Sequence, residues 1–154
     1  CLVVGLAGWL WVFGLGVAAF DLGGVATSAP LLGVVAAAVG SYTLVAVSIG
    51  FLMGQIGLGQ HAANAVANIG GMALSFLGGA WVPIEWLPDS LARAARLTPG
   101  YWADRAISGA YEATSMSAAV IGPLLVDCGI CALFAVAVFS VAVAVGRARA
   151  RSAL

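Results

Sequence analysis

Apolar residues run through this chain in four long blocks, at 2–20, 31–53, 62–83 and 120–146. Each is long enough to cross a bilayer as one helix, which takes about 20 residues. Short polar punctuation separates them. Asp21 and the stretch from Gly23-Gly24 to Pro30 close the first block, and the turn Gly54-Gln55-Ile56-Gly57-Leu58-Gly59-Gln60-His61 closes the second. Pro83 stops the third, and Arg147 ends the fourth. The pattern predicts helices throughout, because an open strand leaves its backbone groups unsatisfied in lipid. A transmembrane barrel would need alternating polar and apolar positions, which the blocks lack.

Between Asp21 and Glu85 lie 63 residues without an Asp, Glu, Lys or Arg. A soluble domain would expose half of such a stretch to water, and a single crossing is too short to absorb it, so the gap holds at least two. Mean hydropathy is +1.11. Charged residues make up 8%, against about 25% in soluble domains. The expected class is an all-α, polytopic transmembrane bundle of about four spans. Zero net charge leaves no basic surface for nucleic acid. Cys1 opens the chain inside an apolar run, without Met or a basic flank, so the expectation is a piece of a longer protein and not a signal peptide.

The stretch from Glu85 to Ser117 breaks the apolar pattern, with Asp89, Arg93, Arg96, Asp104, Arg105 and Glu112 added to Glu85. Pro88-Asp89-Ser90 reads as a helix start and 91–97 as a short amphipathic run. Thr98-Pro99-Gly100 interrupts it, and 101–111 can form a second short helix. Neither piece is long enough to cross. Trp81, Trp86, Tyr101, Trp102 and Tyr111 cluster here, where amphipathic rings favour the headgroup level. The prediction is a re-entrant or interfacial hairpin over 86–113, before the last span.

Arg147, Arg149 and Arg151 follow the last span closely and favour a cytoplasmic C-terminus. Alternation then puts the hairpin outside and the 54–61 loop inside. The hairpin also carries three arginines, so charge alone ties. Counting 20 residues back from Arg147 reaches Asp127, which places that acid at the opposite interface.

No catalytic set stands out. His61 is the one histidine, read as a capping or surface residue, and a metal site needs more ligands than it can recruit. Cys128 and Cys131 form a C-x-x-C inside an apolar run and read as small packing residues. There is no phosphate-binding loop and no lysine, so ATP hydrolysis by that route is excluded for these residues. Glu85 and Asp89 read as solvated charges bracketed by prolines. In the third block Asn64, Asn68, Gly71, Ser75 and Gly78/Gly79 recur at three- and four-residue steps and share one helix face. Amides are costly in hydrocarbon, so this stripe is read as facing protein or water. It is either a helix–helix interface or the wall of a substrate path.

From Leu74-Ser75-Phe76-Leu77-Gly78-Gly79 through Trp81-Val82-Pro83-Ile84-Glu85-Trp86-Leu87-Pro88, the chain resembles the membrane subunits of type-2 ABC exporters. In those permeases a small-residue-rich penultimate span ends in a G-x-x-x-P-x-x-x-x-P-like stretch. A short amphipathic helix, a Pro-Tyr-like step and a final span follow. Thr98-Pro99-Gly100-Tyr101 is similar to that step, with Gly100 as a departure, and Gln60-His61-Ala62-Ala63 resembles the family's start of the penultimate span.

The resemblance covers about 31–151 and implies that residues 1–154 are the C-terminal part of one permease domain. It implies a homo- or heterodimer in the plasma membrane, with the C-terminus cytoplasmic. A partner or fused ATPase would bind ATP and Mg, with no cofactor on this chain. Substrate-path candidates are then Asn64, Asn68, Met72 and Ser75. Outer-gate candidates are Gly79, Pro83, Glu85, Pro88, Pro99 and Tyr101, and Gln55, Gln60 and His61 would face the ATPase. The implied function is outward movement of a hydrophobic or amphiphilic substrate: a drug, antibiotic, lipid or polysaccharide. A membrane-embedded lipid-modifying enzyme and a structural or assembly subunit are the alternatives from other classes.

Overall fold

A computed structural model describes residues 29–79, 81–82, 84–113 and 117–152, except for the side chains of residues 85 and 152. The described residues form helices and turns only: α1 (Ala29–Ile56), α2 (Gln60–Leu77), a 3-10 turn (Ile84–Trp86), α3 (Asp89–Ala95), α4 (Pro99–Glu112) and α5 (Ala118–Ser152).

Two of these helices, not four, are long and apolar enough to cross a membrane: Ala29–Ile56 and Ala118–Arg151. They suggest a membrane protein. The expected span at 2–20 lies outside the described residues. The third block does fold as α2, but Gln60, His61, Asn64 and Asn68 dilute its hydropathy. α2 also ends at Leu77, ahead of Pro83, because Gly78 caps it and Gly79 turns out of the helix at φ 92°, a conformation that glycine adopts without a Cβ clash.

α1 and α5 form the seam of the bundle. The buried positions of α1 are Leu31, Val34, Val35, Ala38, Ser41, Val45 and Ser48, one stripe at three- and four-residue steps. Leu31 and Val34 pack with Leu124 and Cys128, and Val45 packs with Cys131 and Ala135. Further along, the Phe51 and Phe139 rings stack at 5.3 Å. The two helices therefore run parallel. Hydroxyls on these helices satisfy themselves locally, Ser41 Oγ donating to the Ala38 carbonyl at 2.9 Å and Ser48 Oγ to Leu44 at 2.7 Å. Outward faces carry Leu44, Val47, Leu133, Val136 and Phe139, each exposed. Large apolar side chains turned outward suit a lipid surrounding.

The hairpin folds back along this pair. α3 and α4 match the two short helices expected from sequence. Thr98 Oγ1 donates to the Ala95 carbonyl at 2.7 Å and so closes α3, while Pro99 sits at the start of α4, where a missing N–H costs nothing. Gly100, expected to interrupt the helix, lies inside α4. The buried face of α4 is Pro99, Gly100, Ala103, Ala106 and Ala110. Ala103 packs at the level of Val45, Cys131 and Ala135, and Ala110 at the level of Leu31 and Leu124. α4 thus runs antiparallel to α5, wedged against both long helices.

Candidate functional site

Beside this packing, an ion pair joins the hairpin to the last long helix. Arg105 Nε donates to Asp127 Oδ2 at 2.8 Å and Nη2 to Oδ1 at 2.6 Å, a bidentate fork. Asp127 is only 1% exposed, whereas the Arg105 side chain is 49% exposed. The guanidinium also lies 4.9 Å from the Trp102 ring centroid and 5.9 Å from that of Tyr101, within cation–π reach. Its hydrogen bonds to Asp127 push Arg105 above its ordinary range, against the opposing effect of burial, so it stays charged at any accessible pH. The outward half of Arg105 opens into a polar cavity of about 430 Å³ lined by Gly79, Tyr101, Asp104, Ser108 and Glu112.

This pair was not legible as a site in the sequence. Asp127 reads there as an acid at the far interface, yet it is buried and its charge is met by a residue 22 positions earlier. The available signal was that Asp127 is the single acid within a strongly apolar helix, where an ionisable group needs a partner.

Of the gate candidates, Gly79 and Tyr101 line the polar cavity. Tyr101 is half-buried, its ring edge-on to Trp102 at 5.1 Å. Pro99 is buried and lies instead on a second cavity. Pro88 is exposed at the head of α3, Pro83 lies outside the described residues, and Glu85 is described only as backbone in the 3-10 turn.

The second cavity, about 300 Å³, is an apolar cleft between α1 and α2. Tyr42, Val45 and Ile49 form one wall and Val66, Gly70 and Leu74 the other. The polar stripe runs along the edge of this cleft: its Gly71 lines the cleft, whereas Asn64 and Asn68, like the path candidate Met72, are exposed and Ser75 is half-buried. No residue of α2 is fully buried, and Asn64 and Asn68 are turned outward from the described bundle.

At the opposite end of the bundle, the Arg149 Nη1 donates to the Gln55 carbonyl at 2.6 Å. A cation at the C-terminal end of α1 meets the negative end of its dipole. This contact ties the 57–59 turn to the end of α5, so both lie on one side of the bundle. Gly57 makes the turn at φ 71° directly against the Arg149 guanidinium. Gln60 and His61 are exposed in the first turn of α2, and no side chain caps that helix start.

Cys128 and Cys131 are buried free thiols in the α1–α5 seam, in keeping with a packing role. Among the described residues no group of three or more His, Cys, Asp or Glu is placed to hold a metal ion. No family model matches this chain, and neither a curated protein nor a solved structure matches it.

Proposed function

We propose that this chain is the C-terminal part of the membrane subunit of a type-2 ABC exporter, moving a hydrophobic or amphiphilic substrate outward at the expense of ATP hydrolysed on a partner. One observation carries the reading: the two stretches that resemble the family meet in space. A Cβ at Gly78 would lie 3.1 Å from Gly100 Cα, and one at Gly100 would lie 3.1 Å from Gly78 Cα. The end of α2 and the Pro99-Gly100-Tyr101 step therefore touch backbone to backbone, with the 3-10 turn and α3 between them in the chain. Gly100, the departure from the family's step, is the residue that this close approach requires.

The remaining features support the same reading. The apolar cleft beside α2 suits an uncharged or amphiphilic cargo better than an ion. The path candidates Asn64, Asn68 and Met72, exposed on α2, with half-buried Ser75 beside them, suit a second permease subunit across a shared path. ATP binding and release on the partner would rock the two membrane halves, with Gln55, Gln60 and His61 on the ATPase side in the plasma membrane. Affinity purification of the tagged full-length chain from its host membranes, in mild detergent, tests this. An ATPase subunit or fused ATPase domain is expected in the preparation, with ATP hydrolysis stimulated by amphiphilic compounds. A stable preparation without any ATPase would contradict the assignment.

A further inference from the structure

We infer that the Arg105–Asp127 pair is what docks the hairpin into the bundle, deciding between a helix wedged against α1 and α5 and one lying on the membrane surface. The inference does not rest on the export reading. α4 presents a small-residue face of Gly100, Ala103, Ala106 and Ala110 to the bundle. Its other face carries Tyr101, Asp104, Arg105, Ser108, Tyr111 and Glu112. Such an amphipathic helix is equally at home in the interface plane. Between helices in lipid there is no hydrophobic drive to associate, so docking depends on close packing and on polar contacts. The small face packs closely, with Ala106 and Ala110 fully buried, but its side chains offer no polar contact. The fork from Arg105 to Asp127 is the charge-assisted, directional contact linking α4 to α5. Undocking would leave Asp127 buried in an apolar helix with its charge unmet, which the bundle resists strongly.

The geometry also says why an anionic ligand is not the natural partner of Arg105. Asp104 and Glu112 line the same cavity and would repel it, so the acid that satisfies the guanidinium is the one already in contact.

Cross-linking in the full-length protein tests docking without any transport assay. Ile107 packs beside the cluster that contains Cys128. Ile107→Cys is paired with native Cys128 while Cys1 and Cys131 are changed to Ala. A short bifunctional thiol reagent should join the pair within one subunit. Asp127→Asn and Arg105→Ala should each cut the yield at least about tenfold, and the swap Arg105→Asp with Asp127→Arg should restore most of it. Arg105→Met with Asp127→Leu removes the pair without orphaning a charge, so it should insert normally and still lose the cross-link. Full cross-linking in that double variant, or in either single variant, would overturn the inference. So would a charge swap that inserts but recovers nothing.

Discussion

At the residue scale, the balance of charge and space makes two sharp predictions. Arg105→Ala leaves Asp127 buried without a partner, and losing one member of such a pair costs about 3–5 kcal/mol. The half-exposed side of the pair argues for the lower end, about 3 kcal/mol. Denaturant titration of the purified protein in detergent should show that loss, and Asp127→Asn, which keeps hydrogen-bonding capacity, should lose less. Glycines offer the second contrast. A Cβ at Gly78 would meet the Leu74 carbonyl at 2.9 Å and Gly100 Cα at 3.1 Å, both backbone atoms that cannot yield cheaply. At Gly50 nothing lies within 4 Å. Gly78→Ala should therefore destabilise by about 1–3 kcal/mol, while Gly50→Ala in a helix interior should gain up to about 1 kcal/mol. Equal effects would mean that the α2–α4 backbone contact is not formed. Sequence spacing could flag Asp127 as an anomaly, but not Arg105 as its partner, because a contact across 22 residues depends on how the hairpin folds back.

Elements were read unevenly, and the reasons are physical. α3 and α4 announced themselves through Pro88-Asp89-Ser90 and Thr98-Pro99, since proline and capping signals act locally. The two long apolar helices followed from hydropathy alone. The end of α2 did not, because Gly78 and Gly79 break the helix before Pro83 can, and glycine's turn depends on backbone packing as much as on identity. The stripe on α2 was legible as a shared face, whereas the outward direction of Asn64 and Asn68 was not, since it is set by Val66, Gly70, Gly71 and Leu74 turning toward α1. Under the export reading, Asn64→Leu or Asn68→Leu removes hydrogen bonding of about 0.6–2 kcal/mol per interhelical contact. Substrate preference or substrate-stimulated ATP hydrolysis should change several-fold with protein abundance near normal. Ile69→Leu, exposed and off the stripe, is the control. Equal effects from the control would assign the stripe to packing.

For the whole molecule, the parallel course of α1 and α5 constrains topology whichever way the bundle is inserted. The contact between Arg149 and the end of α1 puts the 57–59 turn and the C-terminal arginines on one side. Single cysteines at Gly59 and Ala150, in a background without native cysteines, should share their accessibility to an impermeant maleimide. One at Ser90 should be labelled from the outside, where the proposed orientation places the hairpin. Labelling of Gly59 and Ala150 from opposite sides would contradict the parallel seam itself.

The central claim, outward movement of an amphiphile driven by a partner's ATP hydrolysis, is tested most directly in inside-out membrane vesicles carrying the full-length chain and its ATPase. Accumulation of a fluorescent amphiphile should require ATP and Mg, saturate with substrate, and fall in the Arg105→Ala variant. Intact, assembled vesicles that accumulate no amphiphile above the level seen without ATP, across chemically varied amphiphiles, would contradict the account.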